Sequence, residues 1–268
     1  MELLENNIVV ESGQYRQIVL SDDTEHLQAN EEHCDIVVKE NALLEMYRIQ
    51  NLDETTHLKT HIHIHQERDS RVHFVVISFN AGDLRNNITV DVDGEGCETQ
   101  VYGLYLVDKK QHMENYLKIN HNVAHCTSDT RFKGIMDDEA SAVFNGHVYV
   151  APGAQKTDAQ QNNANIILTS TAKIDTKPFL EIYADDVKCS HGTSTGQLDQ
   201  EAMFYMRQRG ISQANARMLL MYAFAAEISN HIKIDSLRDT IEDMIKRRLR
   251  GELSSCDRCV LHCKNPKK

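Results

Sequence analysis

The chain has 268 residues, 41% of them hydrophobic and 26% charged, with no Trp and a formal net charge of −11. That length can bury a sizeable core as one large domain or two small ones, and the acidic balance argues against nucleic acid or an anionic membrane surface as the main partner. No apolar run approaches the ~20 residues of a membrane span. The opening M-E-L-L-E-N-N lacks the basic and apolar regions of a secretory signal, and the seven Cys read as reduced thiols or metal ligands. A cytoplasmic protein is expected.

From about Ile36 short strand-like runs follow one another: C-D-I-V-V-K, L-L-E-M-Y-R-I, L-K-T-H-I-H-I-H, R-V-H-F-V-V-I-S-F, N-I-T-V-D-V, V-Y-G-L-Y-L-V, N-Y-L-K-I-N-H, A-V-F-N-G-H-V-Y-V, N-I-I-L-T and F-L-E-I-Y. Many alternate with a period of two, and turn signals such as N-A-G-D, D-G-E-G and A-P-G-A separate them. So many short strands must close as a sandwich, a barrel or a solenoid. No repeat of fixed length can be read, so periodicity alone leaves a sandwich and a β-helix equally open.

Within this region H-L-K-T-H-I-H-I-H places His57, His61, His63 and His65 on one strand face, with Ile62 and Ile64 on the other. An H-x-H-x-H face can bind zinc. The preferred reading is a solvated strand face over two core Ile, because no carboxylate or Cys in the sequence stands ready to complete a site.

The stretch Glu181 to Asp199, E-I-Y-A-D-D-V-K-C-S-H-G-T-S-T-G-Q-L-D, begins like a strand and ends like the approach to a helix. Cys189 and His191 share a face at i, i+2 if the strand continues through them. A thiolate beside an imidazole suits iron, zinc or sulfur chemistry, or nucleophilic catalysis. On spacing alone an ordinary strand end is the stronger reading. The adjacent Asp185 and Asp186 point to opposite strand faces, a poor arrangement for paired acid–base carboxylates. No phosphate-binding loop and no G-x-S-x-G or H-E-x-x-H motif is present.

After Gly192 the pattern turns helical. E-A-M-F-Y-M-R-Q-R ends at Gly210, Ser212 can cap A-R-M-L-L-M-Y-A-F-A-A-E-I, and Asp235 or Ser236 opens a third helix that ends at Gly251. The second helix is apolar almost all round. The third ends on Lys246, Arg247, Arg248 and Arg250, which suits a helix C-terminus and could steer an acidic partner. The tail carries Cys256, Cys259, His262 and Cys263, a C-x2-C-x3-C spacing that thiolate-bound metal can use. An exposed thiol-rich segment without metal is the preferred reading. The expected division is 1–191, 192–253 and a tail at 254–268.

Taken as words, L-E-I-Y-A-D-D-V-K-C-S-H-G-T-S-T-G-Q-L-D-Q-E-A-M-F-Y-M-R-Q-R-G-I-S closely resembles the signature of the SufB/SufD family, the scaffold subunits of the SUF iron–sulfur cluster assembly machinery, and in particular its SufD-like members. H-C-T-S-D-T-R-F-K-G-I-M-D-D-E-A-S-A-V-F-N-G-H-V-Y-V and A-Q-K-T-D-A-Q-Q-N-N-A-N-I-I-L support it. The resemblance implies a right-handed parallel β-helix followed by a small helical C-terminal domain. It implies no enzymatic activity, pairing through the β-helix edge with a SufB-like paralogue or a second copy of the chain, and docking of the C-terminal helices, here through Met218, Leu219, Met221 and Phe224, onto a SufC-like ABC ATPase. His191 takes the place of the family His that assists nascent-cluster assembly with a Cys of SufB, and Cys189 that of the motif Cys. A transient iron–sulfur cluster at the subunit interface is implied, with no cofactor in the isolated chain. Family members usually carry a longer, partly helical N-terminal region, and the Cys-rich tail is not part of their pattern. Rival readings are a metal-storage or delivery protein using the His strand and the Cys tail, and a β-helix carbohydrate-active enzyme. The missing secretory signal and missing carboxylate cluster count against the latter.

Overall fold

A computed structural model describes residues 7–22 and 30–252. Odd-numbered strands β1 (Asn7–Val10), β3 (Glu31–Val38), β5 (His57–Gln66), β7 (Asp83–Val92), β9 (His112–His121), β11 (Ser141–Val150) and β13 (Lys173–Ile182) stack in order into one sheet. Even-numbered strands β2 (Tyr15–Asp22), β4 (Leu43–Asn51), β6 (Arg71–Asn80), β8 (Glu98–Val107), β10 (Thr127–Met136), β12 (Asp158–Ile167) and β14 (Lys188–Gly196) stack into a second. Each described pairing is parallel, so the chain is a β-solenoid of about six turns, along which odd and even strands alternate. A sandwich is thereby excluded. The β structure starts at Asn7, well before Ile36, because N-I-V-V and Y-R-Q-I-V-L already alternate buried and open positions.

The missing repeat has a plain cause. Partners on neighbouring coils are 28 residues apart at Tyr15–Leu43, 26 at His57–Asp83, 29 at Asp83–His112, 31 at Thr127–Asp158 and 32 at Ser141–Lys173. The strands keep their length while the corners change it. The corners that enter β2, β4, β6, β8, β10 and β12 are nonetheless built alike. Gly13, Asn41, Asp69, Gly96, His125 and Lys156 all have φ between 56° and 77°, two residues before the strand. This left-handed geometry is costly for residues other than Gly. It is held by hydrogen bonds to the next coil, such as Asn41 N–H to the Arg68 carbonyl and His125 N–H to that of Gln155, both 2.9 Å.

Parallel stacking sets like on like inside the solenoid. Cys34, Ile62, Ile88 and Leu117 form one buried ladder, and Ile36, Ile64, Val90, Ile119 and Val148 the next. Burying each such side chain contributes about 1.5–3 kcal/mol. Two bulky residues take space that a Gly on the neighbouring coil leaves: a Cβ on Gly103 would lie 2.3 Å from the Phe132 ring, and one on Gly134 would lie 2.2 Å from that of Tyr105.

The two sheets meet water differently. Odd strands alternate buried and open positions, so their outer face is solvated. Strands β4, β6 and β8 are buried on both faces, which is why they read as continuous apolar runs. Three helices follow: α1 (Gln200–Gln208), α2 (Gln213–Ser229) and α3 (Asp235–Leu249). Asp199 caps α1 and Ser212 caps α2, whereas α3 starts after Ile234 with no side-chain cap. Met221, Ala225, Ile228, Leu237, Ile241 and Ile245 lie against the outer face of the even sheet, on Tyr47, Val75, Phe79, Tyr102 and Leu104. Polar contacts fix the seam. The Lys233 ammonium meets Glu45 at 2.8 Å, His73 Nε2 meets the His231 carbonyl at 2.7 Å, and Arg248 bonds the Phe79 carbonyl and Asp108. Arg248 therefore faces the solenoid and not a partner. Strand β14 runs through Gly192 to Gly196, so the change of character falls five residues after His191, and α2 and α3 share a core with the solenoid. Among the described residues no helix is long and apolar enough to cross a membrane.

Candidate functional site

The last coil, β13 with β14, has a neighbour on one side only. Its outer edge leaves a row of strand N–H and C=O groups without a ladder partner among the described strands, the ordinary template for adding another chain. Pro178 sits in this edge strand, where its missing N–H breaks no inner ladder. The interior row of this coil meets water: no residue of β13 or β14 is buried among the described residues. Phe179, Tyr183, Phe204 and Tyr205, on or beside β13 and on α1, are each more than half exposed.

Cys189 and His191 lie on β14 opposite Ala159 and Gln161 of β12. Ala159 and Gln161 are buried, and aligned residues of parallel strands point the same way, so Cys189 and His191 both belong to the inward row. Their surroundings differ. Cys189 packs with Val148, Val150, Ala159 and Ala184, and burial raises its pKa above the ordinary thiol value. Burial thus disfavours its thiolate form. His191 is exposed at the mouth of the coil. Beneath it Gln161 is 1% exposed, and both polar atoms of its amide lack a hydrogen-bond partner. Gln161 fills the space left by Gly146 across the interior. The structure thus opens His191 and shields Cys189, a distinction that spacing alone does not reveal. The sequence reading also passed over Gln161 and the exposed aromatics. The outward position of Phe179 in the F-L-E-I-Y run was the one signal for the latter.

The His face of β5 is completed by its neighbours. His61 lies opposite His33, His63 opposite Asp35 and His65 opposite Asp91. His61 Nε2 is 2.9 Å from Glu31 Oε1, and His63 Nε2 is 2.7 Å from Asp91 Oδ2. The expectation that no carboxylate stands ready is corrected: the carboxylates come from β3 and β7, about one coil away in sequence. His57 stays apart, largely exposed and 4.0 Å from Asp83.

On α2, Leu219 is exposed and Met218 half-buried, while Phe224 lies half-buried under the Lys133 ammonium. Met221 is 4% exposed and faces the solenoid, so it is removed from any docking face. Cys256, Cys259, His262 and Cys263 lie outside the described residues. The four described cysteines, Cys34, Cys97, Cys126 and Cys189, are free thiols.

Residues 3–224 match the family profile described as SUF system FeS cluster assembly, SufBD core domain. The iron–sulfur cluster assembly protein SufD of Escherichia coli is 40% identical over 168 residues, which are 63% of this chain and 40% of that protein. An iron–sulfur cluster assembly SufBD family protein of Synechocystis sp. is 36% identical over 215 residues, 80% of this chain and 47% of that one. SufD of Bacillus subtilis is 29% identical over 187 residues, 68% of this chain and 42% of that protein. The chain thus spans less than half the length of these relatives.

Proposed function

Because the chain belongs to the SufBD family of the SUF iron–sulfur cluster assembly system, we propose that it is a non-catalytic, cytoplasmic scaffold subunit that contributes half of an assembly site at the open end of its solenoid. The observation that carries this reading is the exposed His191 on the inward row of the last coil, above the unpartnered Gln161. A neutral imidazole there has a free nitrogen for iron, or for steadying a sulfur species. The cluster is cargo, held in passing between this His and ligands from a second subunit. One chain then needs no complete ligand set of its own.

The second subunit is a SufB-like paralogue or another copy of this chain. It binds the unpaired edges of β13 and β14, with Phe179, Tyr183, Phe204 and Tyr205 as apolar anchors. A SufC-like ATPase binds the open side of α2 around Met218 and Leu219. Its nucleotide cycle would change how the subunits meet and so open or close the site.

Co-expression with SufB-like and SufC-like proteins, followed by pull-down through this chain, tests the proposal. The expected product is a stoichiometric complex containing iron and acid-labile sulfide. A chain that binds neither partner, or a complex that assembles unchanged when the β14 edge is blocked by Ser190→Pro, would falsify it.

A further inference from the structure

Four coils from His191, on the solvated outer face of the odd sheet, the register gathers a second set of metal-binding groups. His63 and His65 stand at i, i+2 on β5, and Asp91 of β7 lies opposite His65. Their ligand atoms all fall within 4.8 Å of one another. His63 Nε2 is 2.7 Å and His65 Nδ1 is 3.7 Å from the same Asp91 oxygen, Oδ2. One ion about 2.0–2.2 Å from each atom fits this spacing after a small opening of the His63–Asp91 hydrogen bond.

The surrounding groups are placed as supports of a metal site are. Asp35 Oδ1 is 3.5 Å from His63 Nδ1, so His63 can carry its proton on Nδ1 toward Asp35 and turn the Nε2 lone pair to an ion. Asn120 Nδ2 donates to Asp91 Oδ1 at 2.6 Å and leaves Oδ2 for the ion. Asp93 Oδ2, 3.6 Å from His65 Nδ1, is in reach as a further oxygen ligand. The side chains of His63 and His65 are 36% and 39% exposed and that of Asp91 19%, so an ion can enter from water.

The neighbouring set is built for something else. Glu31 Oε1 already meets Lys59 Nζ at 3.0 Å, and the His33 and His61 rings stack nearly parallel at 4.5 Å. Lys59 supplies there the cation that an ion would otherwise supply.

We propose that His63, His65 and Asp91 bind a divalent first-row transition-metal ion, zinc or ferrous iron, at a surface site separate from the coil that carries His191. Two imidazoles and one carboxylate suit either ion and leave positions for water. This stands independently of the scaffold role, since it concerns the isolated chain.

The test is titration of the full chain with Zn2+, and with Fe2+ without oxygen, followed by calorimetry. Co2+ substitution distinguishes the site from the cysteine tail, because nitrogen and oxygen ligands give no thiolate charge-transfer band. One equivalent should bind with Kd about 10 µM or tighter. It should be lost in His63→Ala/His65→Ala, weaken at least ~10-fold in Asp91→Asn, weaken ~10-fold in Asn120→Ala, and persist in His33→Ala/His61→Ala. The altered side chains face water, so melting temperatures should stay at the wild-type value. Unchanged stoichiometry and affinity in the folded double variant, or in Asp91→Asn should the double variant not fold, overturns the proposal. So does a wild-type chain whose only tight binding shows thiolate charge transfer.

Discussion

His191 lies directly over Gln161, one coil up in the same parallel ladder, with the exposed imidazole above a buried amide that has no partner of its own. The two side chains share an inward row but not a fate: one is sealed by the coil above it, and the other has no coil above it.

His191→Ala should therefore leave the fold alone. With no hydrogen bond or close packing to lose, the melting temperature should stay within a few degrees of wild type and partner assembly should persist. Iron and sulfide in the co-purified complex should fall sharply at matched subunit stoichiometry. Cys189→Ser should show the reverse balance, with little effect on cluster content and a loss of about 1 kcal/mol from placing a hydroxyl among Val148, Val150 and Ala159. Equal cluster loading in wild type and His191→Ala would remove His191 from the assembly site.

The solenoid interior should be intolerant at its glycines. Gly103→Ala sets a methyl group 2.3 Å from the Phe132 ring. We expect a loss of about 1–3 kcal/mol by urea denaturation. Phe132→Leu should recover part of it in the double variant, because the smaller side chain vacates that space. Additive losses would show that the contact is not the cause.

Acid should weaken the protein through His121. This residue is fully buried, its Nε2 is 2.9 Å from Ser128 Oγ, and burial lowers its pKa to about 4. Above its unfolded value of about 6.5 the imidazole is neutral in both states. Between pH 6.5 and 4 the unfolded chain takes up a proton that the folded chain refuses. Stability should fall across that window, by an amount on the order of 3 kcal/mol from this residue. His121→Gln should flatten the slope of stability against pH between 6.5 and 4. A variant with the wild-type slope would assign the acid sensitivity elsewhere.

The two faces of α2 should separate cleanly. Met221→Ala removes a side chain buried against the even sheet and should cost about 2–5 kcal/mol. Leu219→Glu changes an exposed position and should alter stability by less than about 0.5 kcal/mol. Only Leu219→Glu should reduce ATPase capture in a pull-down at constant fold. Removing α3 outright cannot answer this question, since Ile241 and Ile245 belong to the shared core.

Ten of the fourteen strands, the helix limits at Ser212, Gly210 and Gly251, and the common face of Cys189 and His191 can be read locally, because capping and alternation act over a few residues. The solenoid cannot be read that way. Its coil length drifts between 26 and 32 residues, and no local rule fixes it. The words around K-C-S-H-G supplied the fold that periodicity left open. The carboxylates beside the His strand were hidden for the same reason. Asp35 and Asp91 stand next to His63 and His65 only once three coils are in register. The inward turn of Met221 followed from which sheet face lacked cover, a property of β4 to β8 and not of the helix.

The seam between helices and solenoid also sets a schedule. The Lys233 N–H donates to the Tyr47 hydroxyl across 186 positions of chain. At a synthesis rate of about 5–20 residues per second, roughly 10–40 s separate the emergence of Tyr47 from that of the segment that covers it. Through that interval the oily outer surface of β4, β6 and β8 rides bare on the ribosome, next to coils that are already stacked. A nascent chain halted before Gln213 lacks both covering helices and keeps it bare, a species open to chaperones and proteases.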